Sequence, residues 1–244
     1  MNPSFHPRTS SRRKLALGLL SSGLLLLPAL HAAFERLPLH TGWQLRQLEP
    51  RDTLAQEDLA PRVHPAALAI RRMPAMVHDV LLDHRRIETP WLPGRAEACR
   101  WVSDKDWLYS VEFPCAEPNA IAFLHFRGLD SMVDVYLNGN RLASSASALV
   151  PLRVEVTGQL RPRNSLVLHF HTIFARGDGP KPEPLRTFRG QPVRRSGSNY
   201  SAYLGPQPYF SRVGVFDAID LEITHGTEFR EVLAVATVDD TFAR

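Results

Sequence analysis

The chain has 244 residues, with 29 Lys and Arg against 25 Asp and Glu, and only two Cys. Four of the basic residues (Arg8, Arg12, Arg13 and Lys14) fall in the first 32 positions, which hold no acid; the remainder balances at 25 against 25. That balance excludes the standing positive field a nucleic-acid binder needs. The remaining ~212 residues suffice for one sandwich, but not for a sandwich plus a (β/α)8 barrel of typically ~250.

Residues 1–32 read as an export signal. Basic residues precede an apolar run from Leu15 to Leu30, and small residues follow at Ala32-Ala33. This is the charged, apolar and cleavage pattern of a secretory leader. The run is interrupted by Gly18, Ser21, Ser22, Gly23 and Pro28, and falls short of the roughly 18 apolar residues of a membrane span. "SRRKLAL" also resembles a twin-arginine signal, with Leu15 where Phe is commonest. The expected location is the periplasm or the cell exterior.

The next predicted element is a helix, roughly Pro74 to Arg86. Pro74 suits its first turn, and Met76, Val77, Val80, Leu81 and His84 share one face. Cys99 and Cys115 could pair in an oxidising compartment, but two unpaired thiols in or beside a sheet are the favoured reading. From Trp107 onward short alternating runs dominate. Trp107, Tyr109, Val111 and Phe113 share one face; Ala122, Leu124 and Phe126 alternate with Ile121, Phe123 and His125. The same period recurs at Leu152–Val156, Leu166–His171 and Ile219–Ile223. Short strands at this spacing point to an all-β sandwich or barrel. Within them "VDVYLNGNRLASS", Val133 to Ser145, predicts a hairpin turning on Asn138-Gly139, because a type I′ turn needs φ > 0 at both central residues. The stretch from Gly177 to Pro208 is rich in Gly, Pro and Arg and lacks periodicity, as functional or disordered loops do.

Five segments in order resemble one family: "MPAMVHDVLLDHRR", "CRWVSDKDWLYSVEF", "LHFRGLDSMVDVYLNGNRLASS", "LRVEVTGQLRPRNSLVLHFH" and "VGVFDAIDLEI". Together they resemble the amino-terminal domain of beta-mannosidase-like glycoside hydrolases, the family that includes beta-galactosidase and beta-glucuronidase. The resemblance runs from about Trp43 to Val238. It implies a galactose-binding-like jelly-roll sandwich over residues 33–225, with one short helix ahead of the strands and a long Pro/Gly/Arg-rich loop. It also implies that 226–244 begins an immunoglobulin-like domain, with Val232 to Val238 as an exposed apolar strand. In such enzymes both catalytic carboxylates stand on the barrel. The expectation is therefore a non-catalytic, carbohydrate-associated domain, truncated or split from its barrel, whose partner is a sugar or a separate chain carrying the missing domains. The alternative is a free-standing exported carbohydrate-binding module.

The residues themselves suggest no catalytic set. Retaining glycosidases need two carboxyl groups ~5–5.5 Å apart. Asp104 and Asp106, and Asp239 and Asp240, read instead as exposed turn acids. His169 and His171 form half of a metal site with no third ligand in view, and read as a solvated sheet face. No nucleophile elbow surrounds Ser144, Ser145 or Ser147, and no phosphate loop is present. No cofactor and no metal are expected. Trp91, Trp101 and Trp107 read as sandwich core rather than sugar platforms.

One family contact can be compared directly. Mannosidase members carry a "GWDWGP"-like run whose Asp meets the sugar, and the matching stretch here is "SAYLGP", Ser201 to Pro206. Gly205 and Pro206 fit, but Tyr203 replaces the Asp, and Ala202 and Leu204 replace the Trp pair. No carboxylate occurs between Glu183 and Asp217, whereas Arg186, Arg189, Arg194, Arg195 and Arg212 do. The plain reading is a diverged exposed loop. The sharper one assigns Arg195, Asn199, Tyr200 and Tyr203 to an anionic or decorated sugar, since guanidinium forks suit carboxylates and aromatic rings suit sugar faces.

Overall fold

The computed structural model describes residues 34–50, 53–59, 64–92, 95–172, 212–225 and 233–235. Its strands in chain order are β1 (Phe34–Pro38), β2 (Gln44–Leu48), β3 (Leu68–Ala69), β4 (Ala75–Met76), β5 (Asp106–Pro114), β6 (Ile121–Phe126), β7 (Leu129–Asp130) and β8 (Val133–Leu137). They continue with β9 (Asn140–Ser145), β10 (Leu152–Glu155), β11 (Arg163–Phe170), β12 (Gly214–Val215) and β13 (Ile219–Thr224). Helices are short: α1 (Gln56–Leu59), α2 (Val77–Asp83) and α3 (Arg95–Ala98), with a 3-10 turn at Arg100–Asp104. None of the described helices is long and apolar enough to cross a membrane.

Two antiparallel sheets face each other, ordered β1-β13-β6-β10 and β3-β2-β5-β11-β8-β9, and a short third sheet, β4-β12-β7, lies beside them. Period-2 alternation explains the sandwich. In the larger sheet Trp107, Tyr109 and Val111 on β5, Leu166, Leu168 and Phe170 on β11, and Val133, Val135 and Leu137 on β8 point one way. They meet Ala122, Leu124 and Phe126 of β6 and Leu221 and Ile223 of β13 in one buried core. The core aromatics keep their polar atoms satisfied, as burial requires. Trp43 and Trp107 each donate from Nε1 to a carbonyl at 2.8 Å, and the Tyr109 hydroxyl donates to the Ala75 carbonyl at 3.0 Å.

The predicted hairpin is present. Asn138 and Gly139 have φ of 53° and 88°, so both occupy the left-handed region a type I′ turn requires. Asn138 does a second job: its amide donates to the Gln159 carbonyl and to Asn164 Oδ1, and its Oδ1 accepts from the Ser165 N–H, all at 3.0 Å. The turn is thereby tied to the start of β11. At Gly214, with φ of 129°, a Cβ would stand 2.3 Å from the Tyr109 hydroxyl and 3.1 Å from Met76 Cα, so the three-stranded sheet closes only around glycine.

The helix prediction is corrected at its start. Pro74 and Met76 precede the helix, because Ala75 and Met76 pair with β12, and α2 begins at Val77. The Met76 N–H donates to the Asp79 carboxylate at 3.0 Å and caps that end. At the other end Arg85 takes φ of 55°, with bonds from Arg85 N to Leu82 O and Arg86 N to Leu81 O forming a Schellman closure. His84 is exposed, and its Nε2 donates to the Ala69 carbonyl instead of joining the apolar face. Strands also precede this helix, where the sequence reading placed it first. Cys99 and Cys115 are both buried and unpaired. Burial, reinforced by the Glu88 charge, pushes the Cys99 thiol up. Trp107 belongs to the core, but Trp91 is 75% exposed, which overturns its placement there.

The outer face of the smaller sheet carries a charged network in place of the usual solvated surface. Glu222 on β13 accepts from Arg153 Nε (2.8 Å), His125 Nδ1 (3.0 Å) and Arg36 Nη2 (3.3 Å), which reach it from β10, β6 and β1. The Arg153 guanidinium also lies over the Phe123 ring, 3.7 Å from its centroid. Burial alone would raise the Glu222 pKa, but the hydrogen bonds of Arg153 and His125 outweigh it and hold the carboxyl below its ordinary range. An unfolded glutamate takes its proton near pH ~4.3. The folded one resists to lower pH, so its contribution is complete above ~4.3 and is lost as pH falls through the folded value. Acid unfolding followed by circular dichroism should therefore steepen below about pH 4. Glu222→Gln should flatten that limb; an unchanged limb would deny the network this role.

Candidate functional site

The opposite outer face, on the larger sheet, bears the most concentrated chemistry among the described residues. β11 pairs with β5 over its full length, setting His169 opposite Leu108 and Phe170 opposite Trp107. Asp106 opens β5, in phase with Leu108, so its side chain leaves the sheet away from the core. There it meets His169, whose Nε2 lies 2.8 Å from Asp106 Oδ2, and both side chains are fully buried. The other carboxylate oxygen accepts from the Thr172 N–H at 2.8 Å, while the Thr172 hydroxyl donates to the Ser103 carbonyl at 2.7 Å.

His171 extends the cluster. Its Nε2 is 3.0 Å from Asp134 Oδ2, and its Nδ1 faces Asp106 Oδ2 at 4.0 Å. Arg141, across the hairpin from Asp134, donates to the same carboxylate. For Asp134, burial would raise the pKa, but the hydrogen bonds of His171 and Arg141 prevail and lower it. For His169 burial comes first and depresses the pKa, outweighing the Asp106 hydrogen bond, which by itself would raise it. The two rings stack at 4.1 Å between centroids.

A small apolar layer continues across this face. Leu59 of α1 packs with Leu48, Leu108 and Val167 as a second cluster, flanked by Leu54 and Tyr136. Arg46 and Asp58 form an ion pair at its border. This cover overturns two readings from sequence. Asp106 is not an exposed turn acid, and His169 does not lie on a solvated face; Asp104, two residues earlier, is exposed as expected. The third metal-capable side chain that the sequence did not reveal is Asp106, together with His169 and His171. The phase of Asp106 with Leu108 was its legible signal; α1, four residues long, left none.

The cluster has a position as well as a composition. Thr172 is the last described residue before 173–211, and Arg212 is the first after it. Asp106 therefore fastens one root of that segment. At the other root Arg212 Nε lies 3.8 Å from the buried Asp130 carboxylate, and the Val213 carbonyl accepts from the Val77 N–H at 2.9 Å. The predicted sugar-contacting residues Arg195, Asn199, Tyr200 and Tyr203 fall on 173–211 and lie outside the described residues, as do Asp239 and Asp240. Of the Val232–Val238 stretch, residues 233–235 are described, with Leu233 and Val235 79% and 75% exposed.

Asp106 is shut away from solvent, and Asp134 is neutralised by Arg141. Two open depressions elsewhere, each of about 550 Å3, bring no pair of carboxylates together. One is lined by Glu117, Asn119, Thr224 and His225, and the other by Arg85, Arg86, Glu88 and Leu92.

The fold is an antiparallel β-sandwich of the galactose-binding-like class. Residues 43–201 match the family described as Glycosyl hydrolase 2 galactose-binding domain-like, and the chain belongs to that family. It is 26% identical over 202 residues to beta-mannosidase B of Aspergillus clavatus, a match covering 79% of this chain and 23% of that protein. Against beta-mannosidase B of Thermothelomyces thermophilus identity is 31% over 144 residues, or 58% of this chain and 15% of the relative. The chain thus spans less than a quarter of the curated relatives it matches. Among solved structures, the beta-D-mannosidase of Dictyoglomus thermophilum superposes with a TM-score of 0.57 at 19% identity, over 77% of this chain and 22% of that one. A Faecalibacterium prausnitzii beta-glucuronidase gives 0.50 at 18% identity, over 82% and 33%. The fold is shared, and this chain corresponds to the N-terminal domain of beta-mannosidase-type members of the family.

Proposed function

We propose that this sandwich is the carbohydrate-associated front domain of an exported beta-mannosidase-like glycoside hydrolase and takes no direct part in bond cleavage. The observation that carries the reading is the family match over 43–201 combined with coverage of 23% of a beta-mannosidase B. Its complement is chemical: the buried carboxylates of the described residues are engaged by His, Arg and backbone donors. The leader-like composition of residues 1–32 supports export to the periplasm or beyond.

In this reading 173–211 is the segment that meets sugar. The described residues on either side of it are fixed, Thr172 by Asp106 and Val213, just before β12, by the Val77 N–H. Its composition of arginine and tyrosine without acid from 184 to 216 suits a sugar bearing a carboxylate or another anionic group. The test is affinity electrophoresis of the purified chain in gels containing neutral mannan or an acidic, uronate-bearing polysaccharide. Retardation should be stronger in the acidic gel. Tyr203→Ala should weaken it about fivefold, the worth of roughly 1 kcal/mol of ring contact. No retardation in either gel, or an unchanged Tyr203→Ala, would overturn the assignment.

A further inference from the structure

We propose that Asp106, His169 and His171 form a binding site for a divalent transition ion of the zinc type. Two observations converge on it. The ligating atoms lie within 4.8 Å of one another, with Asp106 Oδ2 at the hub, 2.8 Å from His169 Nε2 and 4.0 Å from His171 Nδ1. Two ligands held about 2.0–2.1 Å from a tetrahedral ion stand roughly 3.3 Å apart, and the two distances bracket that separation. Small opposite shifts of the rings would admit the ion.

The second observation is the surroundings of His171. Its Nε2 is paired with the Asp134 carboxylate, which Arg141 holds in turn. A histidine whose far nitrogen is fixed by a carboxylate presents its near nitrogen as a lone pair, the arrangement that orients and strengthens metal-binding imidazoles. His169 would ligate through Nε2 with its proton on Nδ1, which has no hydrogen-bond partner in the described structure, so metal binding has to offset that unpaired donor. Two imidazoles and one carboxylate form a donor set for zinc, cobalt or nickel, and a poor one for calcium or magnesium, which prefer oxygen throughout. The ion would enter from the side of His171, whose side chain is 15% exposed while Asp106 and His169 are closed off. Bound there, it would clamp β5 to the end of β11 and so stiffen the root of 173–211.

The test uses the whole chain, without a polyhistidine tag and stripped of metal by chelator. Zinc chloride should raise its thermal midpoint, and calcium chloride should not. Cobalt(II) should develop visible d–d absorption of a low-coordinate site, saturating at one equivalent. His171→Gln, a change at the partly exposed ligand, should abolish that absorption while leaving the far-UV spectrum unaltered. Asp134→Asn replaces no ligand but changes the group that orients His171, and should weaken cobalt binding by roughly 10–100-fold. An absent cobalt spectrum in the parent chain, or equal binding in His171→Gln, would overturn the assignment. The second result would place the ion on other histidines of the ten.

Discussion

Phe170→Ala is expected to lower the unfolding free energy by about 3–5 kcal/mol, the usual range for emptying a buried phenylalanine site. Phe170 is fully buried, and its ring meets Tyr109 edge-on, with centroids 5.3 Å apart at 65°. It ends β11 opposite Trp107 on one side and Val133 on the other, so two strand pairings converge on it. The neighbouring backbone is pinned: the His171 N–H donates to the Met132 carbonyl at 2.8 Å, and Thr172 is held by Asp106 and Ser103. The chain cannot readily collapse into the space left behind, which favours the upper part of that range. Against a typical total of 5–15 kcal/mol, the loss would leave a marginal domain. Urea unfolding reads it as a fall in midpoint at unchanged slope. Leu149→Ala, at a side chain 78% exposed, is the control and should move the midpoint by less than about 0.5 kcal/mol. A loss below about 1 kcal/mol for Phe170→Ala would remove β11 from the core.

Asp106→Asn, nearly isosteric, should cost about 2–3 kcal/mol. The aspartate presents acceptors on both sides, one to the Thr172 N–H and one to His169 Nε2. An asparagine has one acceptor and one donor. With its oxygen toward Thr172, its NH2 group faces the His169 ring. That ring can accommodate it only by moving its own proton to Nδ1, which has no acceptor among the described residues. A buried donor is orphaned either way, and size is not the reason. Equilibrium unfolding with Asp104→Asn as the exposed comparison isolates the effect. Equal midpoints for the two variants would contradict the buried network.

The strands were legible because their evidence is local and repeated. Trp107–Phe113, Ile121–Phe126 and Leu166–Phe170 each alternate with period 2, and Asn138-Gly139 announces its own turn through the backbone angles it tolerates. Their order also revealed the family, since five weak motifs in sequence exclude most alternatives. The site was not legible, because alternation says which residues share a face but not whether that face is covered. Asp106 and His169 read as solvated until α1 and the Leu48–Leu108–Val167 patch were seen to seal that side of the sheet. Periodicity cannot register a helix of four residues such as α1 or α3. Met76 misled for a related reason: a two-residue strand pairs it with Gly214, 138 positions away, and no local pattern encodes such a partner. Trp91 misled because an aromatic is normally core, while here it stands exposed beside Leu92.

The network on Glu222 shows the same limit from the opposite side. Arg36, His125 and Arg153 come from three strands, and nothing in their local sequence says that they converge. Each of the two outer faces holds buried charge. One forms a ring of arginines around Glu222 and Asp220; the other is a ladder of histidine and aspartate that fastens the segment rooted at Thr172.

The most direct measurement is an assay of the purified chain, at high protein concentration, on a chromogenic beta-mannoside and the matching beta-glucuronide. Chromophore should be released no faster than in buffer from both substrates, by protein whose far-UV spectrum shows a folded β-sandwich. Saturable turnover that co-purifies with the chain and falls on Asp106→Asn or Asp134→Asn would contradict it, because it would make an active centre of a cluster assigned here to structure.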